Sequence, residues 1–183
     1  MQTGSPDAVR GSYAAAVHGW TALIVTHAFA ASFSLVFGAV NLVRPTKGDL
    51  VHRTLGKVWL ALMYFTVFSS FGIQQLRPGN FSWIHGLSVF TFVTLTLGWT
   101  AARQGNRAAH AANMIGTYAG LWGAFIGVVT VPTRLVPRAF QDDWLAMTWL
   151  TVGIVVTGLA LVRYLVHVLE RESSPTATGS RPV

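Results

Sequence analysis

Five stretches of this chain are apolar for long enough to cross a lipid bilayer as helices. They run roughly Thr21–Val43, Thr54–Leu76, Phe81–Ala102, His110–Val131 and Trp144–Val166. A helix rises ~1.5 Å per residue and the hydrocarbon core is ~30 Å thick, so each stretch has the required length. Backbone N–H and C=O groups find no water inside lipid, so these stretches are expected to be helical. Composition supports the same class. Charged residues make up 10% of the 183, against about 25% in soluble domains, too few to cover a surface facing water.

The connectors carry turn chemistry: Arg44-Pro45-Thr46-Lys47-Gly48, Arg77-Pro78-Gly79-Asn80, Arg103-Gln104-Gly105-Asn106-Arg107, and the segment from Pro132 to Asp143 with a second proline at Pro137. Residues 1–16 are polar and small, with no compact apolar core, and read as a retained polar segment rather than a cleaved signal. Residues 17–168 form the five-span domain. Residues 169–183 are expected to be a disordered cytoplasmic tail.

Thirteen Lys and Arg against six Asp and Glu would suit a nucleic-acid binder, but the positive charge is not gathered on one face. It lies between the apolar runs, as orientation signals do. Arg44, Lys47, Arg53, Lys57, Arg103, Arg107, Arg163, Arg171 and Arg181 fall on one side of the bilayer, and Arg10, Arg77, Arg134 and Arg138 on the other. Nine against four puts the N-terminus outside and the C-terminus in the cytoplasm of a plasma membrane. Trp20, Trp83 and Trp144 then mark the outer interface. The expected architecture is an all-α membrane bundle, with spans one to four as its core and span five at the side.

Several chemistries are excluded or disfavoured. There is no cysteine, so thiolate zinc sites, iron–sulfur clusters and thioether-linked haem are ruled out. All six carboxylates (Asp7, Asp49, Asp142, Asp143, Glu170 and Glu172) lie outside the spans, which disfavours a proton-coupled transporter and carboxylate-based metal hydrolysis. No broken helix or inverted repeat points to a transporter either. Gly116, Gly120, Gly123 and Gly127 share one face of span four. Close helix contact and room for a flat cofactor both remain open for that face.

Histidine is what remains. His27 lies six residues inside span one, ~9 Å from the outer boundary at the helical rise, and His85 lies four residues inside span three, ~6 Å from the same boundary. His52 immediately precedes span two and His110 opens span four, both at the cytoplasmic side. Depth therefore pairs His27 with His85 and His52 with His110. Histidines facing each other across a bundle are a way to hold haem iron. Arg53, Lys57 and Arg107 inside, and Arg77 and Arg134 outside, are candidate partners for haem propionates. His18 and His167 read as interfacial end residues.

Three stretches together resemble a known family: Thr26-His27-Ala28-Phe29, His52-Arg53-Thr54-Leu55-Gly56-Lys57, and Ala109-His110-Ala111-Ala112-Asn113-Met114 running on to Tyr118 and Ala119. They are similar to the bacterial membrane-protein family catalogued as domain of unknown function 2306, over about residues 20–135. The resemblance implies roles for His27, His52, Arg53, His110 and Tyr118, while His85 stands outside the pattern. The layout is also similar, by analogy, to transmembrane haem proteins of the cytochrome b561 type. The expectation is a multi-pass protein of a bacterial plasma (inner) membrane that binds one or two haem b groups and transfers electrons. His27, His85, His52 and His110 would be its iron ligands. Its partners would be the bilayer, a redox partner or larger membrane complex, or a second copy of the chain, and not nucleic acid. A non-enzymatic accessory or assembly subunit is the alternative, with a small-solute transporter behind it.

Overall fold

The computed structural model describes residues 21–73, 83–132 and 135–173. These form six helices: α1 Ala22–Val43, α2 Leu50–Phe71, α3 Trp83–Arg103, α4 Arg107–Val129, α5 Leu135–Asp142 and α6 Trp144–Ser173. No strand occurs among the described residues. Four helices are long and apolar enough to cross a membrane: Ala22–Val43, Leu50–Phe71, Arg107–Val129 and Trp144–Arg171. The fifth expected stretch is α3, a 21-residue helix that lies against α4.

Local chemistry sets the helix ends. Thr21, Asp49 and Asn106 each place a side-chain oxygen on a backbone N–H of the following first turn, on Ile24, His52 and Ala109 respectively. This satisfies donors that a helix start leaves open. The α1–α2 and α3–α4 connections turn at Gly48 and Gly105, whose φ values of 80° and 74° favour glycine. Both connections are short, so each joins antiparallel neighbours.

Several boundaries differ from the sequence reading. The helices α2 and α4 start earlier than the apolar runs, because their caps sit at Asp49 and Asn106, ahead of the first apolar residues. His52 and His110 therefore lie within first turns. The segment from Pro132 to Asp143 is not all turn: it contains α5. Pro137 is tolerated there because it is the third residue of that helix, where the backbone N–H would have no intrahelical partner. The helix α6 also continues through 169–173, which corrects the placement of those residues in a disordered tail. The polar segment 1–16, His18, Trp20, Arg77, Arg134 and residues 174–183 lie outside the described residues.

The helices α1 to α4 close a ring, each packing on the next and α4 packing back on α1, while α6 lies outside the ring against α1 and α2. The diagonals α1/α3 and α2/α4 do not pack along their length. At the centre are Phe37, Leu55, Met63 and Leu95, with Ser34 and Thr117 fully buried among them. Apolar side chains also face outward, including Trp149 at 72% exposure and Phe68 at 61%, as a lipid solvent allows.

One contact ties three helices together. Trp59 on α2 donates its indole N–H to the Ser34 carbonyl at 2.9 Å, and Tyr118 on α4 donates its hydroxyl to the Leu35 carbonyl at 3.0 Å. Both rings reach α1 over Gly38, where a Cβ would stand 2.7 Å from Trp59 Nε1 and from Tyr118 Cε2. The glycine face of α4 works similarly against α3: a Cβ at Gly120 would stand 2.8 Å from Thr91 Oγ1. Close helix contact is thus the role of Gly120, while Gly116 and Gly123 leave ordinary van der Waals spacing.

Gly38→Leu is expected to force Trp59 and Tyr118 off α1 and to cost on the order of 1–3 kcal/mol. Gly153→Leu, at a position with open space around it, should be neutral. Thermal unfolding of both variants in detergent checks this. Equal Tm values for the two would refute the clamp.

Candidate functional site

The site is built from the α1–α2 connection upward. Arg44 grips Asp49 with both arms of its guanidinium, Nη1 to Oδ1 at 2.6 Å and Nη2 to Oδ2 at 2.7 Å. Asp49 Oδ1 also accepts the His52 backbone N–H at 2.9 Å. Lys47 Nζ donates to the Asn41 and Leu42 carbonyls, 2.6 and 2.8 Å away, at the end of α1. One carboxylate thus joins the end of α1 to the first turn of α2 and places His52. The paired guanidinium, with help from the His52 N–H, holds the Asp49 carboxyl down at about 2, and Asp49 in turn raises the Arg44 pKa. Burial and the neighbouring Arg44 charge lower that of Lys47.

Across the ring, His110 lies in the first turn of α4. Its Nδ1 is 2.9 Å from the Gly98 carbonyl oxygen of α3. A carbonyl can only accept, so Nδ1 carries the proton and, in the neutral ring, Nε2 carries the lone pair. Gly98 permits this approach, because a Cβ there would collide with Met114 Cε of α4.

His52 and His110 meet across the α2/α4 diagonal. Their ring centroids are 6.3 Å apart and their planes lie at 86°. Two buried polar atoms at this end find no hydrogen-bond partner among the described residues, His52 Nδ1 and Asn41 Oδ1. Asn41 lies over Gly56, one helical turn beyond His52, where a Cβ would stand 3.5 Å from its Nδ2. Leaving such groups unsatisfied costs about 1–3 kcal/mol each. Edge-to-face packing alone accommodates a 6.3 Å separation. The partnerless His52 nitrogen is what sets this pair apart from ordinary packing.

His27 on α1 has Nδ1 2.8 Å from Ser69 Oγ on α2, and the buried His85 ring on α3 lies 6.0 Å from the Phe71 ring, also on α2. They flank the same end of α2 on different residues. Arg53 is exposed and donates Nε to the Gly48 carbonyl at 2.8 Å. Tyr118 serves the α1 clamp. His167 is exposed on α6. The sequence does not single out Asn41 or the Gly98 carbonyl, and it offers Ser69 only as one of several hydroxyls in the spans, any of which could satisfy a buried histidine. Asn41 carried a signal, since it is a lone amide in an apolar run. The other two are ordinary in sequence and matter only through their cross-helix contacts.

Among the described residues no group of three or more His, Cys, Asp or Glu side chains is placed to hold a metal ion. The His52–His110 pair offers two nitrogens and no third ligand. A bare metal ion in a protein usually takes more protein ligands than that. A metal whose other positions are filled by a macrocycle has room for two protein ligands at most.

Fold and site together define an all-helical, multi-pass membrane protein with a two-histidine layer at one end of its bundle. A family described as "Predicted membrane protein (DUF2306)" matches residues 24–166, well over half of the chain, and the chain belongs to that family. No curated protein and no solved structure matches it.

The Arg44–Asp49 pair makes a pH prediction. The ordinary aspartate value is 3.8 and the folded one is about 2, so folding stabilises the ionised form. That contribution is complete above about pH 4 and is lost as pH falls through about 2. Asp49 is 32% exposed, so solvent screening keeps the effect modest. Asp49→Asn keeps a capping oxygen but cannot ionise. Its Tm in detergent should fall less between pH 4 and pH 2 than that of the unmodified chain. Parallel acid profiles would exclude this role for Asp49.

Proposed function

We propose that this protein crosses a bacterial plasma membrane five times, with its N-terminus outside, and binds haem b between His52 and His110 at the cytoplasmic end. It would pass single electrons to or from a redox partner there. The observation that carries the reading is the His52–His110 pair itself. The two imidazoles stand with their ring centroids 6.3 Å apart across the α2/α4 diagonal, so they would hold one haem iron between them.

Three features support it. His110 gives Nδ1–H to the Gly98 carbonyl, the arrangement that orients a ligating imidazole and makes its free nitrogen a better donor. His52 has a buried nitrogen without a partner, and its helix start is held by Asp49. Lys57 and Arg107 are exposed on the same two helices as the histidines, available to pair with anionic propionates. A bound haem would supply a one-electron couple at iron. The protein's own part is to hold two neutral imidazoles and to anchor their helices. The scarcity of carboxylates fits a role that needs no substrate acid or base. The proposal rests on the inner histidine pair and does not depend on His27 or His85.

The test is the absorption spectrum of protein purified from haem-replete cells. A Soret band that shifts on dithionite reduction is expected. His52→Ala and His110→Ala should each abolish the spectrum of a two-histidine iron, and His167→Ala should leave it unchanged. A folded, colourless preparation would overturn the proposal, as would a spectrum that survives both substitutions.

A further inference from the structure

A cavity of about 1120 Å³ runs along α1 from Val25 to Val40, with α4 and α6 as its other main walls. The helix α5 borders it through Val136 and Phe140. Small-molecule pockets usually run ~300–1,000 Å³, so this one has room for a ring together with a long apolar tail. The lining contains no Lys, Arg, Asp or Glu. That disfavours a phosphate headgroup or a haem propionate as the bound moiety, since either would be an unpaired charge in an apolar surround.

Polarity is concentrated on the α1–α2–α3 side, at His27, Thr66, Ser70, Ser88 and Thr91. His27 is the most informative of these. The Ser69 hydroxyl donates to the Phe65 carbonyl at 2.6 Å, so its oxygen accepts from His27 Nδ1–H at 2.8 Å. In the neutral ring the lone pair therefore lies on Nε2. The Thr66 backbone carbonyl also accepts from the ring N–H, and His27 lines the cavity. His27 offers the cavity a hydrogen-bond acceptor, which calls for a donor on the ligand.

We infer that this cavity binds an uncharged lipid with a hydroxyl-bearing ring on an apolar tail, of the isoprenoid-quinol class. The ring hydroxyl would donate to His27 Nε2, and the tail would lie among the apolar residues of α1, α4 and α6. The inference stands on the cavity and on His27, independently of the His52–His110 centre.

The experiment is equilibrium binding of decylubiquinol to the purified full chain in detergent, with decylubiquinone and phosphatidylglycerol as comparison ligands. The quinol should bind more tightly than the quinone, which lacks the donor. Phosphatidylglycerol should not compete. His27→Phe should weaken quinol binding about tenfold, the scale of one hydrogen bond, and His27→Gln, which restores an acceptor, should recover part of it. Ala124→Leu fills part of the cavity from α4 without touching the His27 acceptor and should weaken quinol and quinone alike. It keeps the question answerable if His27→Phe does not fold. The His52→Ala/His110→Ala double variant should bind quinol normally, which separates this site from the proposed haem centre. Equal binding of quinol and quinone, effective competition by phosphatidylglycerol, or quinol binding unaffected by Ala124→Leu would each overturn the inference.

Discussion

The bundle depends on how closely α2 and α4 can approach α1 at Gly38. Inside lipid there is no hydrophobic force to press apolar helices together, so packing and hydrogen bonds must do it. At Gly38 both operate. The absent side chain lets the Trp59 and Tyr118 rings lie on the α1 backbone, and their polar tips end on the adjacent Ser34 and Leu35 carbonyls. The buried Trp59 indole N–H and the partly buried Tyr118 hydroxyl are satisfied by the contact that fixes the helix positions. Because the clamp draws on both α2 and α4, it also helps set the spacing across their diagonal. That diagonal is where His52 and His110 meet.

The histidine end of the bundle and the cavity are chemically unlike. The end with the α1–α2 connection carries the Arg44–Asp49 fork, Lys47 on the last carbonyls of α1, and the paired histidines. Fixed charge there lies in the connection and holds the helix ends, while the histidine layer lies inside it. The cavity along α1 has a lining free of charged side chains, with most of its hydroxyl and imidazole groups on the α1–α2–α3 side. A charged connection with a histidine pair and a neutral cavity suit different ligands. This difference is why the haem proposal and the lipid proposal can be tested separately.

Much of the fold was readable because the bilayer imposes a simple rule on apolar length. The rule located the long helices with starts within about four residues, while α2 ends five residues before the expected Leu76 and α6 runs seven past the expected Val166, and the Gly48 and Gly105 turns were visible as Gly-bearing breaks. It failed where caps rather than hydropathy set the boundary, as at Asp49 and Asn106, and where a helix contained too much polar residue to register, as at α5. The histidine layers were legible by depth, since antiparallel helices bring residues at equal distance from one face to the same level. Depth cannot say which side chains turn toward each other. His52 and His110 do, whereas His27 turns to Ser69 and His85 lies near Phe71.

Taken alone, the amino-acid order determined the membrane class, the long helices and the residue types left to do chemistry, because lipid penalises unpaired backbone and charge wherever they occur. Only the tertiary structure decided which histidines share a site, which nitrogen of His27 and of His110 holds the proton, and where space for a ligand opens. Those outcomes depend on contacts such as the Gly98 carbonyl with His110 and the Ser69 hydroxyl with His27. Each joins residues on different helices, and neither partner's identity in sequence reveals the contact. The physical reason is directional: hydropathy sets how deep a residue lies, but a hydrogen bond or a metal site needs two atoms to face each other, and helix packing sets that rotation.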